Sequence, residues 1–429
     1  MSDVRLITLD PAHFHAALVQ KAMYSQVDPT VHVYAPLTTD LTLHINRIVG
    51  FNTRAEKPTS WNLEVHATPD FLTRFGQEKP GNVVVLSGRN RVKIDYILQA
   101  VELGINVLAD KPWILVAEDL PKLQKALDTA EEKGLIIYDI MTERYEITSM
   151  LQQEFVNSPE VFGEIVPGSP DKPGVYMESV HYLMKEVAGA PLRRPDWYFD
   201  IHRQGEGLAD VGTHLVDLVM WLLFPKQPID HYNEVEILSA KRWPTIMTQA
   251  EFERVTGEPD FPSFVSEHIK DAKFEYFCNT AVTYTVRGIH TKLDVLWDYE
   301  ATEGGDKHLA IVRGTKSNIE IRQGKEEKFI PELYVVAQDG MDKEVDAALP
   351  AKVESLQGRF PGVAASKEEK RWKIIIPEQY RVGHEAHFAE VTNKFLEYLG
   401  DPKSIPAWEK PNMMAKYYVT TQGVEVSRK

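Results

Sequence analysis

The chain opens on a short apolar run, VRLITL at 4–9, and five more runs of this kind follow before residue 141. They are VHVYA at 31–35, LEVHA at 63–67, NVVVLS at 82–87, INVLA at 105–109 and LIIYDI at 135–140. Each predicts a strand, and the continuous apolar run at 82–87 predicts one buried on both faces, which is how a parallel sheet reads. Stretches with helical apolar spacing separate them: HAALVQKAMY after the first run, IDYILQAVELG ending at Gly104 as C-cap, and residues 117–133. Strands alternating with helices predict an α/β fold, a doubly wound parallel sheet over residues 1–140.

Beyond Met141 the pattern changes. A helix over roughly 145–157 and a strand at GEIV are predicted, then a proline-rich region at 166–200 with the aromatic run Trp197-Tyr198-Phe199. GEGLADVGTHLVDLVMWLL at 205–223 starts with helix-breaking glycines. It continues as a helix with Val211, Leu215, Leu218, Val219 and Leu222 on one side. NEVEILSAKRW, FEYFCNTAVTYTVRG, HTKLDVLWDYEA, HLAIVRGTKSNIEIRQ and RWKIIIPEQY are rich in β-branched and aromatic residues, with turn residues between them. They predict a large, mainly antiparallel sheet in an α+β domain over residues 141–429. One face of it packs on helices and the other is left for ligand or a second subunit. Residues 340–370 read as loop, and HEAHFAEVTNKFLEYLG as a final amphipathic helix.

Composition adds limits. With 429 residues the chain has material for two full cores. A net charge of −15 argues against a nucleic-acid partner. One cysteine, Cys278, excludes an internal disulfide and reads as a small buried residue. No apolar run is long enough to span a membrane and MSDVRLITLD has no signal-peptide pattern, so a cytoplasmic protein is expected.

Candidate chemistry is concentrated at three places. Asp210, His214 and Asp217 lie at i, i+4 and i+7, on one helix face, where a carboxylate can orient an imidazole for general-base work. The alternative is a merely solvated helix face. Lys111 follows the fifth strand, at the rim where open α/β sheets bind ligands, and Pro112 makes its peptide bond a cis candidate. The loop after the first strand, Asp10-Pro11-Ala12-His13-Phe14-His15, contains no glycine, although a phosphate loop would need one. His13-x-His15 could suggest a metal, but no acid or sulfur lies near it in sequence and none is expected.

Asp110-Lys111-Pro112 and Asp210-Val211-Gly212-Thr213-His214-Leu215-Val216-Asp217 together resemble the Glu-Lys-Pro and Asp-x-Gly-x-His-x-x-Asp motifs of the Gfo/Idh/MocA family of nicotinamide-dependent sugar and polyol oxidoreductases. The resemblance implies a Rossmann dinucleotide-binding domain at 1–140 and a substrate-binding and oligomerisation domain at 141–429. It implies NAD as cofactor, although the end of the second strand does not allow NAD and NADP to be told apart. Catalytic roles fall to Lys111, Asp210 and His214. Cofactor contacts fall to Asp10, Pro11, His13, Phe14 and His15 in the first loop, to Ser87, Gly88 and Asn90 in place of a Thr-Pro-Asn turn, and to Asp110 and Lys111. Arg144 resembles the arginine that follows the sixth strand in the family. The partners expected are a small carbohydrate or polyol and further copies of the chain. A redox-neutral glycoside-cleaving enzyme and a binding module that has lost its nucleotide remain alternatives.

Overall fold

The computed structural model describes residues 4–187 and 190–429; residues 1–3, which begin the N-terminal stretch read above, and 188–189 lie outside it. The chain divides into two compact units. One comprises Met1–Thr142 with Gly383–Tyr417, the other Glu143–Val382 with Tyr418–Lys429.

In the first unit the six apolar runs form β1 (Leu6–Leu9), β2 (Thr30–Ala35), β3 (Asn62–Ala67), β4 (Val83–Leu86), β5 (Asn106–Asp110) and β6 (Ile137–Ile140). They pair in the order β3-β2-β1-β4-β5-β6, parallel throughout, with Ile7 opposite both His32 and Val84. This is the Rossmann order, and it reverses between β1 and β4, where open sheets place their ligand crevice. Every residue of β1 and β4 is buried, which is why neither alternates in sequence.

The helices are α1 (His15–Leu18), α2 (Thr39–Thr53), α3 (Phe71–Glu78), α4 (Lys93–Glu102) and α5 (Leu120–Glu132). α1 is one turn, shorter than HAALVQKAMY suggested. The carbonyls that would continue it are taken from outside: Trp61 Nε1 donates to Gln20 O at 2.7 Å and Arg54 Nη2 to Lys21 O at 2.7 Å. α2 is not evident from the sequence, because it buries only Leu41, His44 and Ile48. Thr38 caps it, accepting from the N–H of Leu41.

The first unit also takes back the end of the chain. The helix His384–Gly400 lays Phe395 and Tyr398 against the ring of Tyr138. The first half of the helix Glu409–Ser427 buries Met413, Met414 and Tyr417 in the core formed by Ile7, Val84, Ile97 and Trp113. Tyr417 donates to Asp139 at 2.6 Å and Lys416, wholly buried, pairs with the same carboxylate at 2.9 Å.

The second unit is built on a ten-stranded sheet. Its path runs from Val235–Met247 through Lys273–Val286, Ile289–Glu300, β7 (Val175–Met184), Lys307–Arg313, Ser317–Gln323, Glu332–Ala337 and Arg371–Ile375 to Ala364–Glu368. β7 comes from the proline-rich region at 166–200, where no strand was expected. It lies mid-sheet, parallel to Ile289–Glu300 and antiparallel to Lys307–Arg313. The GEIV stretch contributes only a bridge between Ile165 and Gly314. Residues 340–370, expected to be loop, contain the helix Asp342–Leu356, which buries only Val345, Leu349 and Leu356, and the strand Ala364–Glu368. So few apolar positions in a charged stretch hide both elements from a periodicity argument.

Against this sheet lie α6 (Ile147–Val156), α7 (Gly207–Asp210) and α8 (Gly212–Leu223). The apolar side predicted for 205–223 is buried at Leu215, Leu218, Val219 and Leu222. Among the described residues no helix is long and apolar enough to cross a membrane.

Candidate active site

The predicted residues fall into two groups, one in each unit. In the first unit they collect at the carboxyl ends of β1, β4 and β5. Asp10 leaves β1 with a positive φ of 46° and its N–H donates to Tyr34 O at 2.8 Å. Its carboxylate accepts from Arg89 Nε at 3.2 Å and from Tyr96 OH at 3.1 Å, and Arg89 Nη2 also donates to Asp40 at 2.9 Å. The first acid after β2 is thus tied across the crevice end to the loop after β4. Burial, with Asp10 beside it, pushes the Tyr96 phenol well above its ordinary range.

The glycine-free loop packs directly on the turn after β4. The N–H groups of Ala12 and His13 both donate to Ser87 O, at 3.2 and 3.3 Å. Gly88 has φ +83°, and a Cβ there would sit 2.7 Å from the Ala12 Cβ and the His13 N. That position accepts no side chain. The loop is therefore held by Ser87, and these two N–H groups point at a protein carbonyl.

Asp110 closes the group. Its Oδ2 is 2.9 Å from His15 Nδ1 and accepts from Ser87 Oγ at 2.9 Å. Burial lowers the His15 pKa, favouring a neutral imidazole, although Asp110 opposes it. Burial alone would raise Asp110, but His15, Lys93 and His13 together hold its carboxyl well below the usual range. Among the described residues no acid near His13-x-His15 in sequence pairs with it; the fold instead brings Asp110 to it from 95 residues along the chain.

Lys93 is the residue here that the sequence reading missed. It is fully buried, and its Nζ donates to Asn90 Oδ1 at 2.8 Å, Asp110 O at 2.7 Å and Pro112 O at 2.9 Å. It braces the backbone on both sides of Lys111, whose peptide bond to Pro112 is cis. Nothing local marks Lys93 in sequence, because its partners are carbonyls and an amide and no acid stands at helical spacing.

The second unit holds Asp210, His214 and Asp217. Asp210 ends α7, Val211 joins it to α8, and the His214 N–H donates to Val211 O at 3.0 Å. Gly207 is required by close approach: a Cβ there would lie 2.0 Å from Cys278 O on the underlying strand. Asp217 is 3% exposed and held in a two-pronged pair by Arg144, 9% exposed, with Nε–Oδ2 2.6 Å and Nη2–Oδ1 2.7 Å. Arg144 is therefore a buried partner of the motif, not a solvated surface charge. Glu206, one residue before Gly207, is buried and paired with Arg242 and Arg428. His181 bonds Ser179 at 2.7 Å and Asp306 at 3.1 Å, and the exposed His202 bonds Glu267 at 2.8 Å. In the first unit His384 is exposed and His387 buried.

Residues 151–428 match the family model described as "Putative oxidoreductase C terminal domain". No curated protein matches the chain. The crystal structure of a "putative oxidoreductase" from Parabacteroides merdae ATCC 43184 is 46% identical, with 100% of this chain and 98% of that chain covered and a TM-score of 0.97. A "putative myo-inositol dehydrogenase" from Sinorhizobium meliloti 1021 shares the fold at 12% identity, 99% and 97% coverage and a TM-score of 0.55. Levoglucosan dehydrogenase, solved with NADH and L-sorbose, does so at 11% identity, 99% and 97% coverage and a TM-score of 0.61. With the family model spanning most of the chain and a 46%-identical structure aligned along its whole length, the chain belongs to the Gfo/Idh/MocA-type oxidoreductases, among those with this C-terminal domain.

Proposed function

We propose that the chain is an NAD(P)-dependent oxidoreductase that acts by hydride transfer on a hydroxyl-bearing carbon of a sugar, glycoside or polyol. The observation that carries this reading is the buried Arg144–Asp217 pair one turn below His214, which fixes the motif helix where a base must not move. The reading is also in keeping with the nicotinamide nucleotides held by structures of the same fold.

A nicotinamide nucleotide fits the first unit through side chains more than through backbone. The Ala12 and His13 N–H groups are engaged by Ser87, whereas Arg89, His13 and Lys111 offer donors at the same strand ends. When bound, it supplies the hydride acceptor. His214 takes the hydroxyl proton. Lys111 donates to a substrate oxygen and stabilises negative charge growing on it. Asp210 orients His214 and receives a neighbouring hydroxyl. Asp10, Pro11, Phe14, His15, Ser87, Gly88, Asn90 and Asp110 shape the nucleotide crevice. A cytoplasmic homo-oligomer joined through the second unit's sheet belongs to the same reading.

Denaturing the purified protein, assaying the supernatant for nicotinamide nucleotide and titrating the stripped protein with NADH tests it. Released nucleotide or quenched NADH fluorescence supports it. Absence of binding by NAD(H) and NADP(H) overturns it. NADH accumulating during turnover selects net dehydrogenation over redox-neutral glycoside cleavage. One observation favours a second reading, a sugar-binding module without nucleotide: the capture of two phosphate-loop N–H groups by Ser87 O.

A further inference from the structure

The His-x-His pair leaves β1 and Asp110 ends β5, and the sheet order sets both strands beside β4. Two imidazole nitrogens converge there on a single carboxylate oxygen. His15 Nδ1 is 2.9 Å and His13 Nδ1 3.9 Å from Asp110 Oδ2, and the three atoms all lie within 4.8 Å of one another. We propose that His13, His15 and Asp110 bind one divalent transition-metal ion of the zinc class, with a fourth position open on the half-exposed His13 side.

The donor set is the first argument. Two imidazoles and a carboxylate suit a borderline cation, and three protein ligands with an open place is the composition of reactive zinc sites. Bonds of about 2.0–2.2 Å in a tetrahedron separate ligand atoms by roughly 3.3–3.5 Å. The observed 2.9 and 3.9 Å bracket that span, so small side-chain rotations suffice. His13 Nδ1 accepts from the His15 N–H at 3.4 Å, a long hydrogen bond that an ion would replace, and stands 3.9 Å from the Asp110 oxygen.

The surroundings are the second argument. Metal ligands work best when a further layer holds them still. Ser87 Oγ donates to the same Asp110 oxygen, Lys93 clamps the Asp110 carbonyl, and the His15 ring packs against Phe14 at 4.5 Å and Phe388 at 4.7 Å. Protonation also suits: burial favours neutral His15, and Asp110 is held ionised. On binding, the single ring proton of neutral His15 passes from Nδ1 to Nε2 through solvent with no net release, and the freed Nδ1 lone pair turns to the ion. The Lys93 ammonium opposes a cation but is directed at carbonyl and amide oxygens.

The test uses the full chain, stripped with chelator and free of nucleotide, so that failure of NADH binding leaves the metal result readable. Zn²⁺ is titrated by calorimetry and Co²⁺ by its visible absorption. One ion per chain is expected, with the intense spectrum of a four-coordinate cobalt site. His13→Ala, at a half-exposed position, should weaken binding at least ~100-fold while leaving thermal unfolding of the metal-free protein unchanged. Asp110→Asn should do likewise, with native circular dichroism as the control. No binding by the parent protein overturns the proposal. So does binding that survives His13→Ala, or that disappears instead on His66→Ala or His202→Ala, which remove the His32/Glu64/His66 and His202/Glu267/His268 clusters.

Discussion

Replacing Arg144 with methionine keeps much of the side-chain volume and removes the charge opposite Asp217. Asp217 is then a carboxylate 3% exposed that has lost two charge-assisted hydrogen bonds, of 2.6 and 2.7 Å. Breaking a buried pair by removing one partner typically costs about 3–5 kcal/mol, because the remaining charge stays desolvated. That corresponds to a folding equilibrium constant lower by roughly 10²–10³·⁷. Urea unfolding of parent and variant, followed by near-UV circular dichroism, measures it as a shift of midpoint at constant slope. The double variant Arg144→Met with Asp217→Leu removes both charges and should recover most of the loss, since buried pairs are often replaceable by apolar residues of similar size. A single-variant loss under ~1 kcal/mol would refute the reasoning, because Asp217 would then have water or another cation that burial denies it. Equal losses in the single and double variants would show that packing, not charge, sets the effect.

His214→Ala should lower turnover by at least ~100-fold with the fold intact, the lower end of what a general base contributes, and near-normal turnover would remove His214 from the mechanism. Gly207→Ala should destabilise the second unit by about 1–3 kcal/mol, since its methyl meets the Cys278 carbonyl; unchanged thermal unfolding would show that the close approach relaxes freely. His44 is buried with no partner on Nε2, and burial, helped by Arg47, lowers its pKa to about 4. The unfolded chain therefore takes up this proton near pH 6.5 and the folded chain only near 4. Stability falls as pH drops through that window, by on the order of 3 kcal/mol for this group, and His44→Leu should flatten the loss by one proton in a pH series of urea midpoints. The Cys278 thiol, buried and pushed up to about 12, should be silent to a thiol reagent at pH 8 until the protein is denatured, when one thiol should react.

Six strands of the first unit could be read from the sequence, β1, β4 and β6 because a strand buried throughout has no choice but to be apolar, and β3, which buries no residue, only from its place in the alternation of strands and helices. The motif helix came from its apolar spacing, and the Rossmann arrangement of the strands with the resemblance carried by Asp110-Lys111-Pro112 and the Asp210–Asp217 motif. What escaped reading depends on partners distant in sequence. α1 is cut short by Trp61 and Arg54, whose effect on Gln20 and Lys21 no local pattern records. Lys93 looks like an ordinary helix-surface lysine until the end of β5 brings the carbonyls of Asp110 and Pro112 to it. Asp110 was placed by its motif, but its meeting with His15 needed the crossing of two strand ends. β7 was lost among prolines that lie outside the strand itself, and HEAHFAEVTNKFLEYLG shows that it has an apolar face without showing which sheet that face covers.

The return of Gly383–Tyr417 to the first unit has a consequence for how the protein is made. The six strands of that unit leave the ribosome early, yet Met413, Met414 and Tyr417 belong to their core and emerge last. At about 5–20 residues per second the nascent sheet waits on the order of tens of seconds with one flank uncovered. A gene fragment ending at residue 142 would carry that incompleteness permanently. Swapping this half between relatives requires moving two separate stretches of coding sequence together.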